Sequence, residues 1–204
     1  MWLIAGPNGA GKSSFAGRFL DDLGHRDLIK LNADEHTLAL RKRFPKARPS
    51  ELNLQAAIAT DQQVERCVEA GLSFVVETVL SSGKYRDDVL QAKANGFRFG
   101  LIYISLHPPE LAPLRVSERA AKGGHDVDPA TAIARHHRSH KELEWFAPRA
   151  DLLMLFDNSA ASAAPFLLAS RNDGGPLQYL APGINPSVDR ALLELAATAR
   201  PGPE

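Results

Sequence analysis

Eight residues near the amino end, Gly6-Pro7-Asn8-Gly9-Ala10-Gly11-Lys12-Ser13, fit the pattern G-x-x-x-x-G-K-[ST]. No other stretch restricts the fold as strongly, because the pattern needs a strand before it and a helix after it. The apolar run Trp2-Leu3-Ile4-Ala5 supplies the strand. Residues 12–23 supply the helix, with Phe15, Phe19 and Leu23 at four-residue spacing on one face. Glycines let the main chain curl so that successive N–H groups converge on an anion. The helix that starts there adds its positive dipole end. In this chemistry Lys12 reaches the β- and γ-phosphates of ATP and the Ser13 hydroxyl ligates Mg²⁺. Gly6, Pro7, Asn8, Gly9, Ala10, Gly11, Lys12, Ser13 and Ser14 are thus the expected cofactor-binding set, with ATP and Mg²⁺ as cofactors.

Short apolar runs then alternate with helical patterns, as in βαβ units around a parallel sheet. Strands are expected at 2–5, 27–31, 73–78, 97–106 and 152–156. Helices are expected at 34–43, 51–70, 83–95, 110–122, 129–144 and 187–199. Gly71 stops the third of these in the manner of a C-terminal glycine. Residues 165–181 suit a hairpin turning at Asn172-Asp173-Gly174-Gly175. The expected fold is α/β: a five-stranded parallel sheet with helices on both faces, in one domain over 1–204. A lid at about 110–144 and a C-terminal appendage at about 163–204 complete it.

Charge narrows the partners. Lys plus Arg and Asp plus Glu both number 24, so the basic excess of a nucleic-acid binder is missing. Cys67 is the only cysteine, which rules out an internal disulfide and suits a reducing cytoplasm. No run approaches 18 apolar residues, so no membrane span is expected.

Ligands of an open parallel sheet sit beyond the carboxyl ends of its strands. Three polar clusters fall there: Asn32-Ala33-Asp34-Glu35, Glu77-Thr78 and Asp157-Asn158-Ser159. Asp34 is the candidate general base for an acceptor hydroxyl; the alternative is a cap on the next helix. Glu77 is a candidate for holding a substrate hydroxyl or a water on Mg²⁺. No separate aspartate clearly ends a strand as a metal ligand. Arg115, Arg119 and Lys122 share one helix face, as do Arg135 and Arg138 on the next helix, with Gly123-Gly124 between as a hinge. That arrangement suits a cationic lid; two solvated basic faces, with Glu118 and Glu142 as ion-pair partners, are the alternative. His136 and His140 lie one turn apart, but there is no H-E-x-x-H, since position 137 is His. Phosphate binding or a surface place is expected for His136, His137 and His140 rather than zinc. Trp2 and Trp145 are expected in packing roles, and Cys67 has no catalytic surroundings.

The ordered segments Ala5 to Ser13, Asn32-Ala33-Asp34, Phe74 to Thr78 with Leu80-Ser81, Arg115-Val116 through Arg119 to Gly123-Gly124-His125, and Asp157-Asn158-Ser159 resemble the zeta-toxin family of P-loop kinases. The resemblance is to its stand-alone bacterial branch and covers roughly residues 2–160. It implies a nucleoside-kinase-like α/β/α sandwich. It also implies transfer of phosphate from ATP to a sugar hydroxyl of UDP-N-acetylglucosamine or a related UDP-sugar, with an antitoxin protein as a further partner. By motif it makes Asp34 the catalytic base and Glu77 with Thr78 substrate-site residues. Lys12, Arg119, Arg135 and Arg138 join Asp34 as catalytic residues, and Asp157 with Asn158 fall near the adenine; a structural turn at Asp157-Asn158-Ser159 is the equal alternative. Two positions depart from the branch: His136 replaces an aromatic residue, and Val79 stands where a threonine is common. The acceptor therefore stays open to another small molecule, such as an antibiotic, nucleoside or metabolite. An ATPase switch with no small-molecule acceptor is the reading of a different class.

Overall fold

The structure, a computed structural model, describes residues 1–15, 20, 24, 28–121, 127–160 and 164–198, with side chains as far as residue 193. Phe19, Leu23 and Asp27, and the hinge segment Lys122-Gly123-Gly124-His125, lie outside the described residues. The strands are β1 Trp2–Ala5, β2 Ile29–Asn32, β3 Phe74–Thr78, β4 Gly100–Ser105, β5 Leu152–Asp157, β6 Phe166–Arg171 and β7 Gln178–Tyr179. The helices are α1 Ala33–Arg43, α2 Pro49–Glu69, α3 Arg86–Ala94, α4 Leu111–Ala121, α5 Pro129–Phe146 and α6 Pro186–Thr198. The backbone is also helical at 12–15, directly after the glycine-rich loop.

Among the described residues seven strands form one sheet in the order β2-β3-β1-β4-β5-β6-β7. The first five in that order run parallel, as the alternating pattern implies. The sheet exceeds the expected five strands because the hairpin at 165–181 does not stand apart. Its strands β6 and β7 extend the sheet antiparallel from the edge of β5. The central strands β1 and β4 are buried along their whole length, which is why they read as unbroken apolar runs. β4 begins at Gly100 rather than Phe97, because Phe97 follows the turn that closes α3.

Side chains alternate between two cores. On one face Leu3, Val76, Leu101, Tyr103 and Leu155 meet Val64 and Val68 of α2, Val89 of α3, Leu143 and Phe146 of α5, and Val188 and Leu192 of α6. On the other, Trp2, Ile4, Ile102, Ile104 and Phe156 meet Ala10, Phe15, Leu20 and Ala112 of α4. Chain order places β3 and β2 on one side of β1 and β4 and β5 on the other, so the loop after β1 opens into the crevice between them. The end of α2 shows how local signals set the geometry. Leu72 N–H donates to Cys67 O, Gly71 N–H donates to Val68 O, and Gly71 takes φ 66°, a conformation that favours glycine.

The core is filled closely at the paired positions Trp2 and Gly100. A β-carbon on Gly100 would lie 2.3 Å from the Trp2 indole. Gly100→Ala is therefore expected to destabilise the protein by about 1–3 kcal/mol through overpacking, read as a lower urea midpoint with an unchanged m-value.

Candidate active site

The loop between β1 and the helical turn at 12–15 is bare main chain held at close quarters. Gly6, Gly9 and Gly11 have φ of 140°, 77° and 82°. Each faces a neighbour that leaves no room for a side chain. A β-carbon on Gly6 would come within 2.0 Å of Ile104 O, one on Gly9 within 3.0 Å of Ala112 O, and one on Gly11 within 2.7 Å of Asn158 Nδ2. Lys12 curls back over this loop and donates from Nζ to Gly6 O at 2.9 Å and Pro7 O at 3.0 Å. An ammonium carries three donors, so one remains for an anion in the cradle. Lys12 is 8% exposed. Burial pulls its ammonium down to about 8, while the carboxylates of Glu77 and Asp34 act in the opposite direction.

Beside the loop, register pairs Asn32 of β2 with Glu77 of β3. Ser13 Oγ donates to Glu77 Oε1 at 2.7 Å, and Asn32 Nδ2 donates to Glu77 Oε2 at 3.1 Å. The Ser13 hydroxyl and the Glu77 carboxylate together form an oxygen pair of the kind Mg²⁺ takes. Glu77, expected on the acceptor side by its resemblance, stands against the cradle serine. Asn32, which the sequence offered only as part of a cluster, is the cap of α1: its Oδ1 accepts from Asp34 N–H at 2.9 Å. Asp34 is thereby relieved of the capping role and sits exposed in the first helical turn.

Asp34, Asn8, Arg41, Val79, Arg119 and Arg135 line one cavity of about 280 Å³. It brings the candidate base and two of the candidate lid arginines together beside the tip of the glycine-rich loop. Arg41 also reaches it, one face of α1 carrying both Asp34 and Arg41 at seven-residue spacing. Nothing in the sequence pattern marked Arg41 apart from other surface arginines.

Arg138 is placed differently. Its Nε donates to Ser81 O at 3.3 Å, and the neighbouring Ser139 Oγ donates to Val79 O at 2.7 Å. These two side chains of α5 hold the turn after β3. Leu80 there has φ 54°, and its N–H donates to the Thr78 hydroxyl at 3.0 Å. Thr78, expected to face the substrate, uses its oxygen to shape this turn. Arg115 also departs from the expected phosphate-facing lid. It donates to Asn158 O at 2.6 Å, Ser159 O at 3.0 Å and Ala160 O at 3.3 Å, because α4 packs straight onto the cradle.

Asp157 is engaged through its side chain in the turn after β5. It is 8% exposed, and its oxygens accept from Ser159 N–H at 2.9 Å, the Ser159 hydroxyl at 2.7 Å and Asn185 Nδ2 at 2.6 Å. Asn158 grips the cradle itself, donating from Nδ2 to Ala10 O at 2.9 Å. The histidines divide, with His137 exposed as expected. His136 and His140 are buried, not on the surface, and take no part in the cavity. His140 Nδ1 lies 2.9 Å from His136 O, so it carries the proton, and Nε2 accepts from Ser105 Oγ at 2.7 Å. His136 Nε2 donates to Leu106 O at 2.7 Å in the same way. Among the described residues no group of three or more His, Cys, Asp or Glu could hold a metal ion. Glu142 pairs with Arg86 of α3, not with the lid arginines. Cys67 is buried and burial pushes its thiol up, away from reactivity. No helix among the described residues is long and apolar enough to cross a membrane.

The profile of the zeta toxin family matches residues 1–160. No curated protein sequence matches. Among solved structures the chain is similar to a crystal structure of AvrRxo1-ORF1:-ORF2 with ATP, at a TM-score of 0.67 and 16% identity over 100% of this chain and 65% of that one. It is similar to the native AvrRxo1-ORF1:-ORF2 complex at 0.68 and 18%, over 93% and 62%. The PezAT chromosomal toxin–antitoxin system of Streptococcus pneumoniae follows at 0.57 and 18%, over 76% and 66%. The chain spans less than two thirds of each of these structures.

Burial lowers His140 from 6.5 to about 3 and lowers His136 as well. The unfolded chain takes up the His140 proton near pH 6.5 and the native chain only near pH 3. The native state therefore loses stability as pH falls between those values. For His140 the loss from pH 7 to pH 5 is on the order of 2 kcal/mol. His140→Asn should be less stable at pH 7 yet show a flatter fall to pH 5, measured by urea unfolding at both values.

Proposed function

The chain belongs to the zeta-toxin family, and on that premise we propose that it is a P-loop phosphotransferase moving a phosphoryl group from ATP to a hydroxyl of a small molecule. The observation that carries this reading is the shared cavity in which Asp34, Arg119 and Arg135 stand beside Asn8 of the cradle. A phosphoryl acceptor needs a carboxylate near its hydroxyl, and the moving group needs cations around it. Both kinds of group are present within one cavity next to a loop built for phosphates. The cradle N–H groups and Lys12 would bind the ATP phosphates. Asp34 would accept the acceptor proton late in transfer, and Arg119 with Arg135 would stabilise charge on the transferred group. Ser13 and Glu77 would hold Mg²⁺, which supplies charge neutralisation on the phosphates. Most of the rate would come from placement and fixed charge, since phosphoryl transfer asks for little covalent chemistry from the protein.

For the acceptor we favour UDP-N-acetylglucosamine or a similar sugar nucleotide, on the family resemblance with Asp34 as the base. One observation supports a second reading. Val79 lines the cavity with an apolar side chain where the branch commonly carries a threonine hydroxyl, which suits a different small-molecule alcohol. An antitoxin partner follows from family membership, as the solved PezAT system includes one.

Incubation with Mg-ATP and a panel of UDP-sugars, nucleosides and aminoglycosides, read by mass spectrometry, should give a phosphorylated product. Asp34→Asn should lower that rate by about 10²- to 10⁴-fold while Mg-ATP binding, read by calorimetry, stays within about twofold. Undiminished transfer by Asp34→Asn would remove it from the mechanism. ATP hydrolysis with no phosphorylated product across the panel would favour an ATPase without a small-molecule acceptor.

A further inference from the structure

The match to the family ends at residue 160, yet the hydrogen bonds that brace the cradle continue past it. Asn185 stands at the start of α6 and is fully buried. Its Oδ1 accepts from Val188 N–H at 3.3 Å, and its backbone oxygen accepts from Val188 N–H at 3.0 Å and Asp189 N–H at 2.9 Å. The amide end points the other way, into the sheet. Nδ2 donates to Ser105 Oγ at 2.9 Å and to Asp157 Oδ2 at 2.6 Å. Ser105 and Asp157 are register partners on β4 and β5, so this one amide bridges the ends of both strands.

Two bonds separate that amide from the phosphate loop. Asp157 shapes the turn that follows β5 by accepting twice from Ser159, whose hydroxyl also accepts from His107 N–H at 2.8 Å. Within this turn Asn158 N–H donates to Ser105 O at 3.0 Å, and its side chain donates to Ala10 O of the cradle at 2.9 Å. The Asn158 carbonyl in turn receives Arg115 of α4, the helix that packs on Gly9. The partners of the Asp157 carboxylate named here are neutral donors from Ser159 and Asn185. A buried carboxyl group held by few donors is sensitive to the loss of one of them.

We propose that the C-terminal segment is part of the nucleotide site, with Asn185 as a positioning residue that fixes the 157–159 turn and, through Asn158, the Ala10 carbonyl of the cradle. The inference rests on the reading of the cradle as an ATP site. It makes the segment beyond the family match necessary for ATP affinity. By reciprocity, ATP tightens the start of α6, since coupling between two places acts in both directions.

Two measurements on the full chain test it. In the first, calorimetric titration of Mg-ATP compares wild type, Asn185→Ser and Val188→Ala, with folding checked by circular dichroism. Serine keeps a helix cap but does not span to Asp157. Val188→Ala removes buried bulk from the same helix, so it marks the effect of general destabilisation. Asn185→Ser should weaken Mg-ATP binding about tenfold, and Val188→Ala should leave it within about twofold. Equal affinity in Asn185→Ser and wild type, or equal weakening in both variants, would overturn the proposal. The second needs no variant and stands if Asn185→Ser does not fold. Hydrogen exchange of wild type should show Mg-ATP slowing the amides of residues 6–13 and, with them, Val188 and Asp189. Slowing confined to 6–13 would overturn the proposal and leave the ATP reading intact. No heat and no slowing with wild type would overturn the ATP reading and this inference with it.

Discussion

The whole site hangs on how closely the main chain of Gly6 passes the Ile104 carbonyl. A β-carbon there would sit 2.0 Å from that oxygen, far inside any contact that real atoms make. The approach is possible only with no side chain, and it wedges the glycine-rich loop against the end of β4. From that anchor the remaining contacts follow. Gly9 meets α4, Gly11 meets Asn158, and Lys12 folds back onto the carbonyls of Gly6 and Pro7. A loop so constrained holds its shape through its own contacts, and such preorganisation is what makes fixed dipoles effective toward charge.

The strand register then sorts the polar residues into two rows with different tasks. On one side of β1, Asn32 pairs with Glu77, and the row reaches Ser13 and the cap of α1 that carries Asp34. On the other side, Ser105 pairs with Asp157, and the row runs inward to His140, Asn185 and the turn at 158–159. Both rows look alike in sequence, an acid and an amide or hydroxyl after an apolar strand. Their difference lies in what packs above them. The first row lines a pocket of about 170 Å³ with Lys12, and its Asn32 caps the helix whose Asp34 lines the cavity with Arg119 and Arg135. The second is covered by α5 and α6, and its acid is consumed in holding the frame.

Burial sets the protonation states on both sides. Lys12 keeps a charge in a place that penalises it because Glu77 and Asp34 lie nearby. The buried histidines each donate to a backbone carbonyl, and burial lowers both, with Glu110 opposing it weakly at His136. The same low-dielectric surroundings thus sharpen a cation beside the cradle and silence two bases behind it.

Much of the fold was legible in the sequence. The tight glycine-rich loop after β1, the five parallel strands, the hairpin at 165–181 and the glycine that ends α2 all follow from local signals, since period, turn chemistry and steric freedom are properties of neighbouring residues. Asp34 could likewise be picked out, because its place after a strand and at the start of a helix is written in the adjacent residues. The partners of each polar side chain were not legible. Ser13 meets Glu77 across 64 positions, Asp157 meets Asn185 across 28, and Asn158 meets Ala10 across 148. Local pattern carries no record of such meetings, so the hydrogen-bond partners of Arg115, Arg138, Asp157, His136 and His140 were decided by packing alone. Only tertiary structure decides which of two equally polar strand ends is left open to a ligand, because that depends on which helices the chain lays over it.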